Sequence, residues 1–211
     1  MKRDVHCRDA VGWLQEQPTL KGCSFVTSLP DVSEVPLKFD AWTAWFVDTA
    51  ALILSKVPPD GVALFFQTDI KRSGVWVDKG YLVQKGAERQ GAGLLWHKVV
   101  CRAPPGKVTF GRPAWAHLLC FAPTLRLEPG QSTADVLPET GHMTWARAMG
   151  LNACEVACRF IRERTSTRTV VDPFCGVGTA LAVANRMGLD AIGVELNRKR
   201  AEKARALVLP P

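Results

Sequence analysis

Residues 169–182 read TVVDPFCGVGTALA, about thirty residues before the end of the 211-residue sequence. The opening residues 169–171 are all β-branched and favour an extended strand. Asp-Pro-Phe breaks that strand, and Gly176 and Gly178 form a turn ahead of a helix that the spacing places at 179–187. Glycines in such a turn let backbone N–H groups approach a ligand closely, at the helix end where the dipole favours negative charge. A second strand, AIGVE at 191–195, ends on Glu195, seventeen residues beyond Gly178. An acid at that place suits hydrogen bonds to ribose hydroxyls. Strand, glycine turn, helix and strand in this order normally open a nucleotide-binding α/β fold. Here they come last.

The preceding elements fit the same architecture. Residues 4–7 form a short strand candidate, and 10–16 (AVGWLQE) a short helix closed by Pro18. Residues 23–28 (CSFVTS) form a buried strand. Apolar residues at helical spacing over 40–56 (Trp42, Trp45, Phe46, Leu52, Ile53) predict a helix that Pro58 and Pro59 stop. The continuous apolar run 61–67 (GVALFFQ) suits a strand covered on both faces. Residues 70–93, rich in Gly and Lys, read as a loop with local structure. Residues 94–102 and 115–123 read as strands close enough to pair antiparallel. The Pro-, Gly- and polar-rich stretch 124–147 reads as a mobile linker or lid. Asn152 is placed as the cap of a helix through Arg162, with Glu155 completing a capping box, and a last helix is expected at 198–208. The alternation predicts one α/β domain over 1–211, Rossmann-like, with a seven-stranded, mostly parallel sheet containing one antiparallel strand.

Composition narrows the setting. The chain is 47% hydrophobic and 22% charged, enough for a substantial core. Its longest apolar runs, 62–66 and 118–122, are strand-sized, well short of the ~18–20 residues of a membrane span. The opening MKRDVHCRDA has neither the apolar core of a signal peptide nor the acid-poor character of a transit peptide, so a cytoplasmic location is expected. Seven cysteines are scattered without a CxxC, which signals neither a zinc site nor a redox pair, and no metal is expected. Charge is concentrated. Between residues 70 and 112 lie nine basic residues and two acidic ones, which accounts for the whole formal charge of +7. An anionic partner, above all a nucleic-acid backbone, is the expectation; a solvated basic loop is the plainer alternative.

Three ligand classes compete for the glycine turn. A Walker loop needs a lysine that is absent, and the dinucleotide pattern GxGxxG fails at Leu181. DPFCGVGT resembles the motif of S-adenosylmethionine (SAM)-dependent methyltransferases, in the DPFxGxGT form of the amino-methyltransferases that act on nucleobases. The resemblance implies a class I methyltransferase fold with SAM as cofactor, held by Asp172, Pro173, Phe174, Cys175, Gly176, Gly178 and Thr179. Gly176 and Gly178 would let the loop pass close to the methionine portion. Asp172 would orient the loop or accept from the cofactor amino group, and Glu195 would hold the ribose. Asn197 would be a further contact or the cap of the last helix.

In many DNA amino-methyltransferases the catalytic motif precedes the SAM motif, a circular permutation that would explain the late glycine turn and bring the termini together. HCRDAVGWLQ followed by SFVTSLPD resembles the family's acidic turn and catalytic loop. Asp9 would lie near the adenine amino group, or cap the helix at 10–16, or do both. The family's catalytic tetrad is [DNS]PP[YFW], whose ring stacks on a flipped base. Here the tetrad is Ser28, Leu29, Pro30 and Asp31: Ser28 and Pro30 match, Leu29 replaces a proline, and a carboxylate replaces the ring. Asp31 is expected to bind or deprotonate an N–H of the target; the other interpretation is a simple polar turn. Cytosine C5 chemistry would need a cysteine in this loop, and Cys175 lies in the cofactor loop instead.

Lys71, Arg72, Trp76, Lys79, His97, Lys98 and Arg112 are the candidate nucleic-acid contacts, with Tyr81 and Trp96 interleaved among them. The basic segment 70–112 is short for a dedicated duplex-reading domain. Structured RNA (tRNA or rRNA) is therefore favoured, with DNA adenine-N6 or cytosine-N4 methylation as the alternative. A non-catalytic subunit of this fold supporting a partner RNA-modifying enzyme, or a homodimer, also remains open.

Overall fold

The computed structural model describes residues 1–209. In chain order the elements are β1 (Arg3–His6), α1 (Ala10–Glu16), β2 (Cys23–Thr27), α2 (Phe39–Ser55), β3 (Ala63–Gln67), β4 (Ile70–Arg72), β5 (Val75–Val77), α3 (Lys79–Arg89), β6 (Gly93–Cys101), β7 (Trp115–Ala122), β8 (Val136–Leu137), α4 (Leu151–Arg164), β9 (Thr169–Asp172), α5 (Thr179–Arg186), β10 (Asp190–Val194) and α6 (Arg198–Ala206). The main sheet runs β1-β10-β9-β2-β3-β7-β6-β8, and β7 alone runs against its neighbours. Every residue of β2 and of β3 is buried, the polar Ser24, Thr27 and Gln67 included, as in strands covered on both faces.

Helices cover both faces. Trp13 and Leu14 of α1, Trp42, Phe46 and Ile53 of α2 and Val83 of α3 pack with Phe25 and Phe65 on one side. Cys154, Ala157 and Ile161 of α4, Leu181 of α5 and Ala204 of α6 pack with Val26, Leu64 and Leu118 on the other. The strand that leads into the glycine turn, β9, lies at the sheet's centre between β10 and β2. Its chain leaves through α5 on one face, whereas that of β2 leaves through α2 on the other. This is a topological switch point, the place where open α/β sheets hold their ligands. The two chain ends meet: Arg3 donates from Nη1 to the carbonyls of Ala204 (3.0 Å) and Leu207 (2.6 Å), and Arg205 donates to the carbonyl of Val5 (2.6 Å).

The structure corrects three expectations. The sheet has eight strands rather than seven, because residues 124–147 contribute β8, parallel to β6. Residues 70–93 hold the β4–β5 hairpin and the helix α3 rather than a loop. Finally, Gly150, not Asn152, caps α4; Asn152 lies inside the helix and donates from Nδ2 to Glu139 (3.1 Å). A Cβ on Gly150 would fall 2.1 Å from the carbonyl oxygen of Thr140, so only glycine fits there.

Candidate active site

The carboxyl ends of β9, β10 and β2 open into one cavity of about 720 Å³. Its floor is the glycine turn. Gly176 (φ +55°) and Gly178 (φ +86°) both take left-handed backbone, which glycine adopts without steric cost. A Cβ on Gly178 would lie 2.8 Å from the Cα of Ala204, so the turn also needs glycine to seat against α6. At Gly176 the added carbon would meet the ring of Trp145 at 3.2 Å. Pro173, Phe174 and Cys175 complete this wall, and Trp45 stands edge-on to Phe174 with centroids 6.1 Å apart. Burial drives the Cys175 thiol far above its ordinary pKa, so it is an inert packing group.

Asp172 ends β9 at the switch point. Its Oδ1 accepts from the Thr27 hydroxyl of β2 (2.7 Å) and from the Phe174 amide (3.1 Å). Burial raises its pKa to about 7, with those two donors pulling the other way. Glu195, at the end of β10, accepts from the Asn197 amide (2.8 Å) and lies 4.0 Å from Arg200. Asn197 caps α6 by accepting from the Arg200 amide (3.1 Å) and also borders the cavity. Asp9 likewise does both jobs: it accepts from the Gly12 amide (2.7 Å) at the start of α1 and borders the cavity. Thr179 is buried, its hydroxyl 2.5 Å from that of Thr144.

Nine of the ten residues anticipated for the cofactor line this cavity; the tenth, Gly178, lies beneath the turn against α6. The stretch read as a linker supplies residues that were missed. Trp145 lies over Gly176 and under the Arg200 guanidinium (5.0 Å to the ring centroid), and Arg147 pairs with Glu34 at 2.7 Å. The signal was present: a tryptophan in an otherwise polar connection is seldom left in solvent.

The tetrad divides. Ser28, Leu29 and Pro30 line the cavity, and the Pro30 carbonyl accepts from the Trp42 indole (3.2 Å). Asp31 turns away into an adjoining chamber of about 50 Å³, which shares Ser28, Leu29, Glu34, Arg147 and Ala148 with the cavity. There Asp31 is buried, 3.0 Å from Arg112 and 4.0 Å from Lys79. Lys79 is itself buried, and that burial lowers its pKa against the pull of Asp31. Glu34 accepts from the Asp31 amide (3.0 Å); burial pushes its pKa up, but the amide and Arg147 outweigh it and the carboxyl sits below its usual range.

The candidate nucleic-acid contacts do not form one surface. Lys71, Arg72 and Trp76 are exposed on the β4–β5 hairpin, with Lys71 over the Trp76 ring (5.1 Å) and Arg72 over Phe39 (4.6 Å). Lys79 faces Asp31 instead of solvent. Lys98 is also buried, donating to the carbonyls of Thr133 (3.3 Å) and Ala134 (2.7 Å), where it pins the strap that carries β8. Trp96 packs edge-on against Phe160. His97 is half of an unforeseen chain: its Nε2 lies 2.9 Å from His117 Nδ1, and His117 Nε2 lies 2.9 Å from Asp69. Asp69 also accepts from the Trp76 indole (2.9 Å) and the Lys79 amide (2.8 Å). With Asp78 it forms a His/Asp group spanning under 4.8 Å, whose polar atoms are taken up in hydrogen bonds that fasten the hairpin and α3 to the sheet.

Comparison with known proteins agrees with this geometry. A family model described as DNA methylase matches residues 155–206, the part from α4 through α6. No curated protein matches the chain by sequence. Among solved structures, TTHA0409 of Thermus thermophilus, described as a DNA modification methylase and complexed with S-adenosyl-L-methionine, superposes with a TM-score of 0.73 at 20% identity, over 98% of this chain and 94% of that one. The PvuII cytosine-N4-specific DNA methyltransferase gives 0.76 at 17% identity, over 98% and 87%. The M1.HpyAVI–SAM complex gives 0.65 at 15%, over 97% and 98%. The chain therefore has the fold that these three structures share.

Proposed function

We propose that this chain is a SAM-dependent methyltransferase acting on an exocyclic nucleobase nitrogen in DNA, at adenine N6 or cytosine N4. The observation that carries the proposal is the single cavity at the switch point, which gathers the glycine turn, two strand-end carboxylates and Ser28. The residues fit SAM. Gly176 borders the cavity with no side chain of its own to intrude on it, the buried Asp172 offers an acceptor to an ammonium group, and Glu195 offers acceptors to ribose hydroxyls. When bound, the cofactor supplies an electrophilic methyl group on a sulfonium.

The protein's own groups would do the rest. Ser28 stands where the cavity and the chamber join, so its hydroxyl can accept one N–H of a target amine and orient the lone pair toward the cavity. Asp31, in the chamber, can accept the proton released as the N–C bond forms once Arg112 is drawn off it. The exposed Lys71, Arg72 and Trp76 suit phosphate contact and stacking along the approach. The order of elements supports a circularly permuted class I arrangement, since the glycine-turn strand is central in the sheet but ninth in sequence. The names of the similar structures favour DNA over the RNA expected from the short basic segment.

Titration calorimetry with SAM, followed by radiolabelled methyl transfer to DNA and to RNA, tests the proposal. SAM should bind, Asp172→Ala and Glu195→Ala should each weaken binding at least about tenfold, and label should enter DNA. Asp31→Ala should lose transfer yet keep SAM affinity. Absence of SAM binding by the wild type, or label confined to RNA, would refute it.

A further inference from the structure

The loop between β6 and β7 carries an aromatic ring with no packing role. Residues 102–113 read RAPPGKVTFGRP, with three cations and no acid. At the tip Phe110 is 92% exposed and Val108 76% exposed. The tip is nonetheless organised. The Arg112 amide donates to the Phe110 carbonyl (3.0 Å), the Thr109 hydroxyl donates to the Arg112 carbonyl (2.9 Å), and Gly111 takes φ +80°. The base is closed by the Arg102 and Ala103 amides, both donating to Ala114 (2.7 and 3.0 Å). Arg102 and Arg112 wall the small chamber, and Arg112 reaches Asp31 at 3.0 Å. The loop is therefore fastened to the catalytic turn at its base while it holds a bare ring in solvent close by.

Leaving a phenylalanine in water forgoes about 1.5–3 kcal/mol that burial would supply. Cations on both sides of the ring, with no carboxylate among them, make the surface complementary to a phosphate backbone and hostile to an acidic protein. Resting on the DNA-directed function above, we propose that the 103–113 loop is a docking finger for the nucleic-acid substrate. Phe110 stacks on a base beside the target, Lys107 meets a phosphate, and Arg112 ties the free finger to the chamber mouth until substrate draws it off Asp31. A base–aromatic stack flanked by phosphate contacts is the usual energetics of such a surface.

The test is fluorescence anisotropy with a labelled mixed-sequence DNA duplex, using the full chain and four variants. Because Phe110 is outside the core, Phe110→Ala should keep wild-type SAM affinity and thermal stability while binding duplex roughly tenfold more weakly. Phe110→Trp should bind like the wild type, and Phe110→Leu, apolar but ringless, should stay weak. Lys107→Ala should reduce the log-affinity against log-salt slope by about one. Wild-type affinity in Phe110→Ala, or full rescue by leucine, would overturn the stacking finger and leave the proposed function standing. Failure of the wild type to bind DNA would overturn both.

Discussion

Asp172 keeps a proton to higher pH than an ordinary aspartate, with a pKa raised by burial to about 7 from 3.8. Between those two values the folded chain binds a proton that the unfolded chain has lost. The contribution of this residue to stability is accordingly greatest in acid and declines as pH rises through that window. Asp172→Asn should flatten this part of the stability–pH curve, as read by urea unfolding between pH 4 and pH 7. Binding has the opposite sign, because a cationic ammonium prefers the ionised carboxylate: SAM affinity should rise from pH 6 to pH 8. Thr27→Val removes a hydrogen bond to the ionised form, which should move the midpoint of that rise upward in calorimetric titrations. Gly178 gives a second test at this scale. Gly178→Ala forces a Cβ to within 2.8 Å of the α6 backbone at a positive φ, and should cost about 1–3 kcal/mol in urea unfolding together with cofactor affinity.

At the scale of elements, the β4–β5 hairpin and α3 hang on Asp69, which is fully buried and serves Trp76, His117 and the Lys79 amide. Asp69→Ala strands those donors and should lower stability by at least about 3 kcal/mol, with the Trp76 fluorescence environment changing first. This region was the least legible in sequence, for a physical reason. The α3 sequence KGYLVQKGAER contains two glycines, which argue against a helix on propensity, yet packing demands both. A Cβ on Gly80 would fall 2.7 Å from the His117 ring, and one on Gly86 would fall 2.8 Å from Ala50 and from the Val47 carbonyl. The short β8 has only two residues and no periodicity to read. By contrast α1 was legible in its bounds because its pattern and its Asp9 cap are local, and β2, β3 and β9 were legible because each is a short run rich in apolar and β-branched residues. In the site, DPFCGVGT carried its own geometry. The orientation of Asp31 and the burial of Lys79 and Lys98 depend on distant partners and could not be read from nearby residues.

At the level of the molecule, the sheet order sets the last two strands between the first two, as β1-β10-β9-β2, and joins the first strand to the last helix, so Arg3 and Arg205 brace the two ends of the fold. No helix among the described residues is long and apolar enough to cross a membrane. Exposed cations of the basic segment lie on the hairpin (Lys71, Arg72) and on the β6–β7 loop (Lys107, Arg112). Binding to DNA should therefore weaken by on the order of tenfold or more between roughly 50 and 200 mM salt. The proposed reaction is the transfer of a methyl group to a nucleobase amine in DNA. Its most direct test is mass spectrometry of nucleosides digested from DNA incubated with the protein and methyl-deuterated SAM. Deuterated N6-methyldeoxyadenosine or N4-methyldeoxycytidine is expected, and neither when Asp31→Ala replaces the wild type. Deuterium on a ring carbon, or in RNA nucleosides only, would contradict it.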